Sequence, residues 1–163
     1  MLESLSPDGT GHLNPTEGDK ERLDRELIEL LNEIRVALPG VQVLFAFLLV
    51  LPFQGAFAEL SELRRDVYVG ALLASAAAVA LLITPSSYHR INFRRPLKER
   101  MLFLSNRLML WGLLLTVAGM SLAIGLVVDV TLGGFVGLLA GVAAAAWFGL
   151  WWFAVPLLAR RAA

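Results

Sequence analysis

The stretch "RVALPGVQVLFAFLLVLPFQG", residues 35–55, decides how this chain is read. It is apolar enough to enter a bilayer, yet it holds Pro39, Gln42, Pro52 and Gln54, each a liability in lipid. The irregular residues lie toward its two ends. Pro39 and Gly40 stand where a preceding polar helix meets the membrane, so a kink or restart is predicted there. Pro52 and Gln54 shape the far exit. The segment between the prolines extends only about 18 Å as a helix, too short to cross alone. Gln42 and Gln54 are roughly 120° apart around the helix axis, so they trace no single polar stripe. Both are candidate intramembrane polar residues, lining a pathway or bonding a neighbouring helix; such a bond is worth on the order of 1 kcal/mol.

Upstream, residues 19–38 change character. Leu23, Leu27, Leu30, Ile34 and Leu38 recur at helical spacing, while Glu21, Arg22, Asp24, Arg25, Glu26, Glu29 and Glu33 occupy the other faces. Glu21–Arg25 and Arg25–Glu29 are one turn apart, which supports a helix weakly. Residues 17–35 contain seven acids and four bases. The amphipathic helix is thus too acidic for an anionic lipid surface to attract, and a protein partner suits its apolar stripe better. Residues 1–18, rich in Gly, Pro, Ser and Thr, read as a disordered tail. His12 stands alone there and makes no metal site.

Downstream, "LPFQGAFA" ends in Ala56-Phe57-Ala58, which resembles a signal-peptidase site. The preceding segment is long and acidic, however, and the apolar run is long enough to span, so an uncleaved first span is expected. Spans are predicted at 36–57, 67–84, 108–128 and 132–158, within a membrane domain of residues 36–158. Residues 159–163 form a C-terminal tail. The composition agrees: of 163 residues 57% are hydrophobic and 17% charged, too apolar for a soluble domain of this size. The chain has no cysteine, which excludes disulfides, thiolate metal sites and cysteine nucleophiles. Twelve of the fourteen basic residues are arginine, a usage that resembles high-GC bacteria.

The connection 85–107, "PSSYHRINFRRPLKERMLFLSNR", carries His89, Arg90, Arg94, Arg95, Lys98, Arg100 and Arg107 against one acid. A helix is predicted to restart at Pro96 and to continue through Leu97, Met101 and Leu104 into the third span. Lys and Arg number twelve in the N-terminal segment, this loop and the C-terminus, against two in the opposite connections. The positive-inside rule then predicts both termini in the cytoplasm of an inner-membrane, multi-pass protein. Trp151 and Trp152 fit an interfacial aromatic belt. The basic loop faces anionic headgroups, docks the acidic helix, or simply records the positive-inside bias.

In the fourth span Gly133, Gly137, Gly141, Ala145 and Gly149 recur every four residues. Shorter ridges occur at Gly70, Ala74 and Ala78, and at Gly112, Thr116, Gly119 and Ala123. Small-residue ridges let helix backbones approach closely in lipid, either inside one four-helix bundle or between copies. No G-x-S-x-G, H-E-x-x-H or P-loop occurs, and no carboxylate pair lies inside the spans; Glu59, Glu62, Asp66 and Asp129 read as rim charges. No catalytic, metal or cofactor-binding residue is therefore assigned, and no nucleic-acid partner is expected. A proton-coupled carrier keeps an ionisable group inside its bundle, which argues against an antiporter here.

The motifs "LNEIRVALPGVQVLFAFLLVLPF", "YHRINFRR" and the "NR" at 106–107 resemble an uncharacterised actinobacterial four-span membrane family of unknown function. Some of its members bear an automated sodium:proton antiporter label. The resemblance covers residues 25–107 and implies that Asn32, Glu33, Arg35, Gln42, His89, Arg90 and Arg107 belong to a recurring pattern. It implies no catalytic residue. The sequence thus predicts an all-α four-helix membrane bundle with an N-terminal amphipathic helix. Its expected role is that of a non-enzymatic module that self-associates or binds a membrane partner, the alternative being a small oligomeric ion channel or transporter.

Overall fold

A computed structural model describes residues 15–91 and 98–162, and every element in them is helical. Helix α1 (Pro15–Val50) is followed by two 3-10 turns, Leu51–Phe53 and Gly55–Glu59. Helices α2 (Glu62–Ile91) and α3 (Lys98–Leu132) come next. The last rod is α4 (Gly134–Gly149), continued through a π turn (Leu150–Ala154) into α5 (Val155–Ala162). The architecture is therefore all-α with four helical rods, as the hydropathy pattern predicts.

Three stretches are long and apolar enough to cross a membrane: Glu62–Tyr88, Phe103–Leu132 and Gly134–Arg161. The opening stretch supplies a shorter apolar helix, Leu38–Phe53. At 1.5 Å per residue this is about 24 Å, against a hydrocarbon core of about 30 Å.

Pro39 does not end the first helix. α1 runs through it as one 36-residue rod, so the amphipathic segment and the apolar one are a single element. A proline inside a helix removes the N–H that would bond the carbonyl four residues back, here that of Arg35. Arg35, Val36, Pro39 and Gly40 are all exposed, so the lost bond falls on an open stretch of the helix. α1 also starts at Pro15, inside the segment expected to be a tail; residues 1–14 of that tail lie outside the described residues. Proline is well suited to a first helical turn.

Pro52 acts differently. The Leu48 carbonyl would accept from the N–H of residue 52, which proline lacks. The helix ends at Val50, and the Tyr68 hydroxyl of α2 donates to the Leu48 carbonyl at 2.9 Å in a buried position. Phe57, from the second 3-10 turn, sets its ring edge-on to Tyr68 at 5.0 Å. A bond that the sequence takes away within one helix is thus replaced from another.

Two clusters form the core among α1, α2 and α3. Val41, Ala78, Leu82 and Met109 make one, and Leu48, Tyr68, Ala71 and Leu126 the other. Between them α2 and α3 approach on small residues. A methyl group added to Gly112 would sit 2.9 Å from the Leu82 side chain, and one on Gly119 would sit 2.7 Å from Ser75 Oγ. The buried hydroxyls of Ser75 and Thr116 donate to the carbonyls of Ala71 and Gly112, one turn back on their own helices. Only small side chains that satisfy themselves locally fit so close a contact.

α4 stands outside this core. Among the described residues it packs on α3 alone, and its one fully buried residue is Gly137. Within the four-helix architecture, three helices thus form the core and the fourth rod packs laterally on α3.

Candidate functional site

The most structured feature outside the core is the α3–α4 pair, tight at one end and open at the other. At the tight end Gly133, with φ of +105°, makes the whole turn between the two helices. That backbone region is open to glycine and strained for other residues. The turn folds α4 back so closely that a methyl group on Gly137 would lie 2.6 Å from Asp129 Cα. Further along, one on Gly125 would lie 3.3 Å from Gly141 Cα, and one on Gly141 would lie 3.2 Å from the Ser121 carbonyl oxygen. The two backbones are in direct contact.

Asp129 is held from the other side by Arg64 of α2. Arg64 Nε donates to Asp129 Oδ2 at 2.9 Å, and Nη2 donates to the Asp129 carbonyl at 3.3 Å. The pair is partly buried, with side chains 33% and 20% exposed. From sequence Asp129 reads as a rim charge and Arg64 only as one of the two basic residues in the opposite connections; the fold makes them a clasp tying α2 to the α3–α4 turn. The signal was a lone acid four residues before a glycine pair, opposite the Arg64-Arg65 connection.

By the π turn the two rods have parted. No Cα of α3 comes within 8 Å of any Cα in the π turn or α5. The π turn begins directly after Gly149, and Val155 N–H bonds the Leu150 carbonyl, five residues back. Pro156 follows, with no N–H to give, and a wider turn ahead of it accommodates that loss. The divergence leaves a cleft of about 490 Å³. Leu110, Trp111 and Leu114 of α3 face Trp152, Phe153 and Pro156 across it. Asn106, Arg107 and Arg160 close the end farthest from Gly133.

The residues singled out by sequence are distributed as follows. Gly137 and Gly141 lie in the α3–α4 contact and Gly133 in the turn, whereas Ala145 is exposed and a methyl group on Gly149 would meet nothing within 4 Å. Gln42 is exposed on α1 beside buried Val41, and Gln54 is exposed in the extended link between the 3-10 turns. Neither therefore makes the buried interhelical bond that motivated singling them out. His89 and Arg90 fall in the last turn of α2, and Lys98 and Arg100 in the first turn of α3. The side chains of these four, and Arg94, Arg95 and Pro96 entirely, lie outside the described residues. Among the described residues of the basic set, Arg107 lines the cleft.

An all-helical chain with three membrane-length apolar rods, close glycine contacts and exposed apolar faces is a helical membrane protein in class. Within that class, the chain belongs to a family of unknown function, DUF6328, whose model matches residues 16–156. No curated protein and no solved structure matches it.

Proposed function

We propose that this is a non-enzymatic, multi-pass module of the cytoplasmic (inner) membrane, with both termini in the cytoplasm, that self-associates or binds a protein partner through its N-terminal arm. The carrying observation is that α1 is continuous from Pro15 to Val50. The acidic amphipathic segment is therefore helically continuous with a core helix, and a contact made on the arm is linked through it to the membrane domain. Ile28 and Val36 are exposed on it, at 57% and 82%. Charge bias supplies the orientation, and it sets the basic residues 85–107 against anionic headgroups at about 1 kcal/mol per residue near the surface.

The test is the mass of the detergent-solubilised full chain, with Leu27→Glu and Leu30→Glu on the predicted apolar stripe. A multimer that dissociates in these variants supports self-association through the arm. A single-chain mass, with no partner retained on the wild-type arm by cross-linking in native membranes, sinks the proposal. The channel or transporter reading, and with it the antiporter label, is tested separately by liposome flux. Flux abolished in Gln42→Leu would replace the module reading.

A further inference from the structure

We infer that the cleft between α3 and the last helical rod is a binding site for one anionic phospholipid. Its body is apolar and aromatic, walled by Leu110 and Trp111 on one side and by Trp152 and Phe153 on the other. Its volume of about 490 Å³ falls within the range of about 300–1,000 Å³ in which small-ligand pockets are found. Its far end is lined by Arg107 and Arg160, together with Asn106. Among the described residues, no acidic side chain lines the cleft beside these two positive charges. Apolar walls leading to paired arginines match an amphiphile with an acyl chain in the cleft and a phosphate at its mouth. Guanidinium groups bind phosphate through parallel N–H bonds. Basic pockets between transmembrane helices on the cytoplasmic side recognise anionic headgroups in this way.

The glycine contact accounts for why a cleft forms at all. Because α4 is pinned to α3 near Gly133 while the π turn and α5 stand clear of α3, a wedge opens whose wide end lies at the arginines. A neighbouring helix would fill the apolar body and leave both guanidinium groups facing a partner of unspecified charge. An anionic lipid satisfies both halves at once. Placing the site in the cytoplasmic leaflet rests on the orientation proposed above.

The experiment is native mass spectrometry of the full-length protein in detergent with an equimolar mixture of phosphatidylglycerol and phosphatidylcholine of identical chains. Wild type is expected to retain phosphatidylglycerol over phosphatidylcholine by about tenfold, since both lipids offer the arginines a phosphate but only phosphatidylcholine brings a quaternary ammonium that cancels its charge and is repelled by them. The Arg107→Gln/Arg160→Gln variant is expected to lose the preference. Arg161→Gln, next to Arg160 but outside the cleft lining, is expected to keep it. Equal retention of the two lipids overturns the inference, as does an unchanged double variant or an equal loss in Arg161→Gln. A dimer that forms only by excluding the lipid would assign the cleft to a second copy and overturn it too. Detergent presents both faces to the lipid, so failure of the orientation leaves this result standing, and failure of this result leaves the orientation intact.

Discussion

The two halves of the last rod carry the same kind of sequence and behave in opposite ways. From Gly133 to Gly141 it is pressed against α3 backbone to backbone, whereas among the described residues no Cα of its π turn or α5 comes within 8 Å of one in α3. A four-residue repeat of small side chains permits close approach along its whole length. What decides where the approach happens is the surroundings: a one-residue turn and an arginine clasp at one end, and a π turn before a proline at the other. Small-residue spacing states a capacity for packing, and the turn chemistry states where that capacity is used.

Substitutions at the two ends can break that contrast. The largest effect is expected at Gly137→Ala, where the added methyl meets the Asp129 backbone at 2.6 Å and no flexible side chain can yield. A loss of about 3 kcal/mol, the upper part of the overpacking range, is expected in unfolding followed in detergent. An unchanged stability would mean that α4 does not sit on α3 at this point. Next comes Tyr68→Phe, which leaves the Leu48 carbonyl without its donor while keeping the ring. This should cost about 1–3 kcal/mol, and a double variant with Pro52→Ala should recover part of it by restoring an N–H at position 52. Asp129→Asn is expected to cost no more than about 1 kcal/mol, because the pair is partly solvated and the amide oxygen still accepts from Arg64. That loss should shrink further in high salt. The smallest change is at Gly149→Ala, in open space on a helix, where up to about 1 kcal/mol of gain is expected from helix propensity alone. A loss there as large as at Gly137 would show that both halves of the ridge are packed.

Much of this fold was legible in the sequence. The helical class, the ranges of the longer spans and the small residues between α2 and α3 follow from hydropathy and spacing, because burial in lipid imposes both. Proline was harder to read. Pro39 predicts a break, yet α1 continues through it, with Arg35, Val36, Pro39 and Gly40 all exposed. Pro52 does end the helix, and the hydroxyl that compensates comes from Tyr68, twenty positions along the chain. A missing N–H is visible in sequence, whereas the donor that replaces it depends on tertiary placement. The candidate site was legible only in fragments. Arg107 stood out as part of a basic loop and Trp152 as part of an aromatic belt, each for a reason local to its own helix. Their meeting across a cleft depends on how far α3 and the last rod diverge, and helix divergence has no local signature beyond Gly149 and Pro156.

The divergence itself can be measured directly, because the chain contains no cysteine to interfere. Leu110→Cys with Leu157→Cys places one thiol on each wall of the cleft. Their Cα atoms are more than 8 Å apart, beyond the reach of about 7 Å that a disulfide requires. Oxidation in native membranes is expected to leave this pair as free thiols that a longer bifunctional maleimide then bridges within one chain. Efficient disulfide formation would contradict the account, since it would mean that α3 and the last rod stay in contact along their full length and that no cleft exists between them.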